Sequence, residues 1–334
     1  MSNNEDKGER PDKRLLPASV QNIEWLKLCC YSILFYISGV YVPIVGIVIA
    51  LASPVPISLI GIRQGINKAF LAVAFVAAFL LIVFGEVGSV SYVFGAGLLG
   101  VVFVIIVKKT NSAGEAIFGL IIAAVAAKLL FMGYMVYTRG ANPFVLDEDS
   151  INSLIRSFYA SGASDDILET VKQHINLSIP SFLIMAAGFD AFVSYLLVSK
   201  IEHRRLELLN TSETETNELK VLPMPPFEQW SFPRSLLVAF FSALLISLFN
   251  DSNTSIMLIS AEINLKILTS IMFYIQGLSF VWWWLNHKNF SYGIRLSVFF
   301  VLLFIPIFFM GLIILGIVDI TVNLREKIRR LSNK

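Results

Sequence analysis

Pro54, Val55 and Pro56 stand between two long apolar runs, and the stretch they open, PVPISLIGIRQGINK over Pro54–Lys68, constrains this chain more than any other. Proline lacks an amide donor and its ring clashes with the preceding turn, so no helix passes straight through. The first long helix therefore has to stop near Ser53. The apolar residues that follow, Ile57 to Ile62, supply about half of the roughly 20 residues that a bilayer span requires. They read as a short broken half-helix over 54–63 that either dips or crosses. Backbone broken at that depth persists only where it is buried in protein or lines a cavity, and membrane proteins often build binding sites there.

Composition places the chain in a membrane. It is 56% hydrophobic and only 15% charged, with a mean hydropathy of +0.73, whereas soluble domains carry about 25% charged residues. The predicted fold is an all-α integral membrane protein, a polytopic bundle of eight long transmembrane helices plus the half-helix. The spans fall at about 25–52, 66–84, 89–107, 115–137, 179–201, 233–249, 265–285 and 292–318, with a tight turn at Gly85–Gly88. The organisation expected is a disordered cytoplasmic tail over 1–24, a transporter-component-like bundle over 25–201, a polar loop over 202–232, a three-helix membrane region over 233–320 and a basic tail over 321–334. The first 24 residues are polar, where a secretory signal would already be apolar. Between 139 and 178, the sets Ile151, Leu154, Ile155, Phe158 and Ile167, Leu168, Val171, Ile175 recur at helical spacing, predicting two short amphipathic helices broken at Gly162.

Lysine and arginine favour the cytoplasmic side of short loops, so counting them tests the topology. If 54–63 crosses, sixteen face inward and eight outward; if it does not, the split is thirteen to eleven. The crossing arrangement is preferred, with the N-terminus cytoplasmic. The basic C-terminal tail opposes it unless one more break in the last third turns the chain back, so the side of that tail stays open. A net charge of +2 gives nucleic acid no purchase, and the partner implied is the lipid bilayer itself. Cys29 and Cys30 are adjacent, which disfavours an ordinary structural disulfide; they read as small apolar filler, with acylation as the alternative.

Three stretches, PVPISLIGIRQGINKAFLA, PPFEQWSFPRSLL and IQGLSFVWWWL, resemble the YybS-like family of bacterial multi-pass membrane proteins of unknown function, and the likeness runs from about Trp25 to Arg325. The half up to Ile201 is also similar in plan to the substrate-binding components of energy-coupling-factor vitamin transporters. That likeness implies a small-solute site and energising subunits as partners. The sequence departs from that plan in having Gly46 and Ala50 where an alanine pair docks the shared subunit, and in its three further spans. Likeness of fold does not by itself assign function.

Ionisable groups deep in apolar spans cost about 2.5–3.5 kcal/mol each, which marks Lys128 and Asp190. Both fall near mid-span on helices expected to be antiparallel. They read as a structural ion pair or as the lining of a solute site, with Lys128 snorkelling to the interface as a third reading. Arg63 and Gln64 on the half-helix and Glu86 in its turn complete the ligand-binding candidates. Glu262, Asn264, Lys266 and Gln276 are secondary; the first three are expected at the solvated start of an over-long helix. Trp282, Trp283 and Trp284 read as a headgroup anchor rather than a ligand cage. The glycines read as packing positions, with Gly65 relieving the backbone after the half-helix. His174, His203 and His287 have no metal spacing, and no nucleotide-binding loop or nucleophile motif is present, so no metal or cofactor is expected. The function expected is a solute-binding component of a transport system, with the dip, Lys128 and Asp190 as its site and the helices around Ile151 and Ile167 as a lid. Two alternatives remain: a scaffold recruiting a cytoplasmic protein through its polar loop, and an intramembrane enzyme.

Overall fold

The structure is a computed structural model that describes residues 18–42, 45–140, 153, 165–208, 221–249 and 254–332. Among these every regular element is a helix. The chain forms two compact units, Met1–Ala127 with Asp190–Leu222, and Lys128–Phe189 with Pro223–Lys334.

In the first unit, α1 (Ala18–Tyr41) ends two residues before Pro43, and α2 (Val45–Ala50) folds back along it. A Cβ placed on Gly46 would strike the Ser38 carbonyl, which shows how close the two backbones lie. The expected continuous span over 25–52 is thus a helix and a half. The chain reverses between Val42 and Val45. Residues 51–53 form tight turns, with Ser53 N donating to Ala50 O at 2.9 Å. Then α3 (Pro54–Gln64) resumes with proline in its first turn, where a missing amide costs nothing. Pro54 through Ile62 are all buried. Together α2 and α3 run back along α1, with the break between them beside Ser32 and Gln64 returning to Gln21. Helix is also found from Ala18, so 18–24 belongs to α1 rather than to a disordered tail.

Gly65 (φ +96°) turns the chain into α4 (66–84), and Gly85 (φ +71°) reverses it into α5 (86–109), which includes a π-helical turn at Val93–Gly97. Positive φ is cheap only for glycine. The reversal is real: Ser89 Oγ donates to Ala77 O at 2.9 Å, and a Cβ on Gly97 would lie 2.8 Å from Val73. The expected turn between two spans is therefore present, although helical hydrogen bonding runs almost continuously from Ile66 to Lys109. Gly100 packs on Ile57 and Gly61 on Val104, so α5 runs parallel to α3 at touching distance. The first part of α6 (Ala113–Arg139) returns along α5, with Gly119 against Ile106. The last part of α7 (Asp165–Leu208) lies on α5 through Phe103 and Tyr195, whose ring centroids are 5.9 Å apart.

The second unit is built on α8 (Ser235–Leu248) and α9 (Ile256–His287), an antiparallel pair joined by Phe240 on Phe273 at 5.4 Å and Lys266 Nζ on Ser247 Oγ at 2.9 Å. From the end of α9 the chain climbs again as α10 (Tyr292–Phe304). It bends by 88° around Pro306 and returns as α11 (Phe309–Val322). Asn323, in the left-handed region at φ 50°, ends α11 and starts the basic α12 (Leu324–Ser332). The return is legible in contacts that climb together: Phe309 on Tyr274, Asp319 on Gln276, Arg325 on Ser279, Arg329 on Trp283. The expected eighth span over 292–318 is two helices bent by 88° at Pro306, a broken span or a re-entrant pair.

Five helical runs are long and apolar enough to cross a membrane, or six if the bent pair is one span. One of the five is the run that doubles back at Gly85. Their outward residues are apolar, Ile82 being 86% exposed and Phe118 65%, as expected of surfaces facing lipid. Two further expectations change. α7 is 44 residues, roughly 66 Å at 1.5 Å per residue, so the amphipathic stretch around Ile167 continues into the span instead of forming a separate helix. Likewise Glu202–Leu208 is helical, and the polar loop begins only after it. The expected helix around Ile151 lies outside the described residues.

Candidate functional site

In the first unit the break between α2 and α3 is ringed by hydroxyl groups. Ser32, on α1, places Oγ 3.1 Å from Ser53 O and 2.8 Å from Tyr92 Oη, while Ser53 Oγ donates to Ser32 O at 3.4 Å. A proton order of Tyr92 to Ser32 to Ser53 O satisfies all three. Ser58 Oγ donates to Pro54 O at 3.0 Å, and the Tyr36 ring meets Tyr92 edge-on at 5.6 Å. Ser32, Ser58 and Tyr92 are fully buried and Ser53 nearly so. This is an uncharged, oxygen-rich cluster at an interrupted helix. Counting from Glu24 along α1, it lies roughly 12 Å in, near the middle of a hydrocarbon core about 30 Å thick.

At the C-terminal end of α3, Arg63 is clamped between two carboxylates. Nη1 meets Glu24 Oε1 of α1 at 2.5 Å, and Nε and Nη2 meet Glu202 Oε1 of α7 at 2.7 and 2.6 Å. Arg205 binds the other oxygen of Glu202 at 3.2 Å. Gln64 Nε2 donates to Gln21 O at 3.1 Å, Trp25 Nε1 donates to Lys68 O at 3.1 Å, and Lys68 Nζ reaches Gln64 Oε1 at 3.3 Å. Two positive and two negative groups thus form an alternating chain, the arrangement that makes partly buried charge tolerable. The clamp ties α1, α3 and α7 at one end. The parallel run of α5 brings Lys108 and Lys109 to that end as well.

Of the sequence candidates, Arg63 and Gln64 are therefore brought together, with Glu24, Glu202 and Arg205 as partners that spacing could not reveal. Ser32, Ser53 and Tyr92 were also missed; their one signal was a hydroxyl inside an apolar run. Lys128 and Asp190 are each half-buried and each has a partner. Glu86 is exposed, just beyond Gly85, and is also partnered.

Of the secondary candidates Glu262 and Gln276 are buried, and Asn264 and Lys266 are half-buried. Glu262 is 5% exposed and bonded to Lys266. Asn264 repairs the kink at Pro180 of α7: its amide donates to Leu177 O at 2.7 Å and its carbonyl accepts from Ser181 N at 2.7 Å. Gln276 donates to Asp319 Oδ2 at 2.6 Å and accepts from Phe232 N at 3.1 Å. Around it the stretches PPFEQWSFPR and IQGLSFVWWWL converge. Ser279 Oγ donates to Phe227 O at 2.7 Å, while Arg325 bonds Asp319, Ser279 and the Glu228 carbonyl. Burial pulls the Arg325 pKa below its ordinary value, and Asp319 opposes that shift. Trp283 is buried against His287 and Arg329, whereas Trp284 is exposed and Trp282 half-buried, so the expected anchor loses one ring. Among the described residues no cluster of metal-ligating side chains occurs.

A family described as a predicted membrane protein family (DUF2232) matches residues 30–320. The chain is similar to the uncharacterized protein YybS of Bacillus subtilis (strain 168), with 22% identity over 301 residues, 87% of this chain and 92% of that one. No solved structure matches.

Proposed function

The chain belongs to the DUF2232, YybS-like family of multi-pass membrane proteins, and from that premise we propose that it is the small-solute-binding component of a transport system in a bacterial cytoplasmic membrane. The observation that carries the reading is the helix pair α2–α3, interrupted beside the buried hydroxyls of Ser32, Ser53 and Tyr92. Transport proteins place discontinuous helices at the midplane because unwound backbone frees carbonyls and helix ends for a ligand. The groups here are neutral donors and acceptors, which suits a polar uncharged part of a solute. The Glu24–Arg63–Glu202–Arg205 chain holds α3 shut at one end, so moving α3 means exchanging those pairs. Any ATP-driven step would come from partner subunits, and no bond-breaking chemistry is assigned.

Sidedness follows from charge. In the first unit every described lysine and arginine lies at the clamp end, and in the second most lie at the end where Arg234, Lys288 and Arg325 gather. The polar stretch 209–220 is too hydrophilic to cross, so both ends share one side. All of the chain's 26 basic residues except Lys128, Arg139, Arg156, Lys172 and Lys266 then face the cytoplasm, with both termini there. Eight crossings fit this, with α2–α3 counted as one and α10–α11 as a re-entrant pair.

Native mass spectrometry of protein gently extracted from its own membrane tests the reading. A stoichiometric small molecule is expected on the wild type and lost from Ser32→Ala and Tyr92→Phe. A wild type that emerges empty but carries a protein partner, released on deletion of 209–220, overturns it in favour of the scaffold.

A further inference from the structure

Between α9 and α10 runs a shallow surface groove, lined by Val281, Leu285, Phe299 and Leu302 together with Trp282 and Arg295. Arg295 is unusual among the chain's cations. Its Nη1 donates to the neutral Asn286 Oδ1 at 2.6 Å, and Asn286 is itself held by Glu228 at 2.6 Å. Its Cζ stands 5.6 Å from the Trp282 ring and 5.8 Å from that of Tyr292. Nε is buried with no hydrogen-bond partner, and among the described residues no carboxylate lies within ion-pairing distance. A half-buried guanidinium with no carboxylate beside it carries a charge that a phosphate would neutralise.

The surroundings say what else the anion carries. Arg295 sits in the first turn of α10, just inside the end marked by His287 and Lys288, with Trp282 and Tyr292 beside it as interface aromatics. α10 buries none of its residues, and Tyr292, Ile294 and Phe300 leave an exposed apolar surface of the kind that faces lipid. We propose that the groove binds one anionic phospholipid, with the phosphate on Arg295 and an acyl chain laid along Val281, Phe299 and Leu302. This site stands independently of the solute reading.

The full-length protein in neutral detergent, titrated with phosphatidylglycerol or phosphatidylcholine of identical chains and read by native mass spectrometry, provides the test. One phosphatidylglycerol should be retained about tenfold better than phosphatidylcholine, and Arg295→Gln should erase that preference while Arg295→Lys keeps part of it. Leu302→Trp, which fills the crevice and leaves the charge, should also weaken retention. Equal retention of the two lipids by the wild type, or a preference unchanged in Arg295→Gln, overturns the proposal. Competition by free glycerol phosphate at lipid-like concentrations overturns the acyl half, because it would mark a plain anion site. If Arg295→Gln does not survive extraction, the wild-type comparison and Leu302→Trp decide.

Discussion

Arg63 serves two carboxylates on two different helices, so its loss and the loss of either partner are not equivalent. Arg63→Gln strands Glu24 and leaves Glu202 to Arg205 alone, whereas Glu202→Gln still leaves Arg63 with Glu24. Removing one member of a buried pair costs about 3–5 kcal/mol, and removing both recovers part of it. Thermal unfolding in detergent should therefore rank Arg63→Gln as the least stable, with the double variant above it; additive losses would show that the clamp is not coupled. Arg63 was legible as a candidate because a charge beside an apolar half-helix is conspicuous. Its partners were not, since Glu24 and Glu202 lie 39 and 139 residues away in sequence.

Helices α9 and α11 touch through backbone. A Cβ on Gly277 would strike the Leu312 carbonyl, and one on Gly316 that of Phe273. In lipid, where apolar burial does not drive helix association, such small-residue contacts supply much of the packing. Gly277→Leu should cost about 1–3 kcal/mol or more, as overpacking does, and appear as a lowered unfolding temperature. The same substitution at Gly293, whose added Cβ would meet nothing, should be close to silent. At this scale periodicity and length identified helices well, and glycine and proline marked the ends. They did not tell a crossing from a return. Pro306 lies within an apolar run that reads as one span, because a proline there can either kink a helix or reverse it.

For the chain as a whole, the return of α11 has a consequence that a reporter can read. If both termini are cytoplasmic, a phosphatase fused after Lys334, which works only outside the cytoplasm, stays inactive, and a fluorescent protein fused there fluoresces. The opposite pair of signals would mean that α10–α11 crosses after all. The structure brings Trp25 to Lys68, so the start of α1 and the start of α4 lie at the same end of the unit. The basic tail, which opposed a crossing at 54–63 on counting, ceases to do so once α11 carries it back to Glu228.

Sequence alone determined that this is a helical membrane protein, broken at Pro54 and turned at Gly85, because hydropathy, helical period and proline geometry are local properties. Tertiary structure decided which polar groups meet. The hydroxyls of Ser32, Ser53 and Tyr92, the clamp on Arg63 and the convergence of PPFEQWSFPR on Gln276 join residues far apart in the chain. In a medium without water each such group must find a partner inside the protein, and helix packing, not local pattern, sets which one it finds.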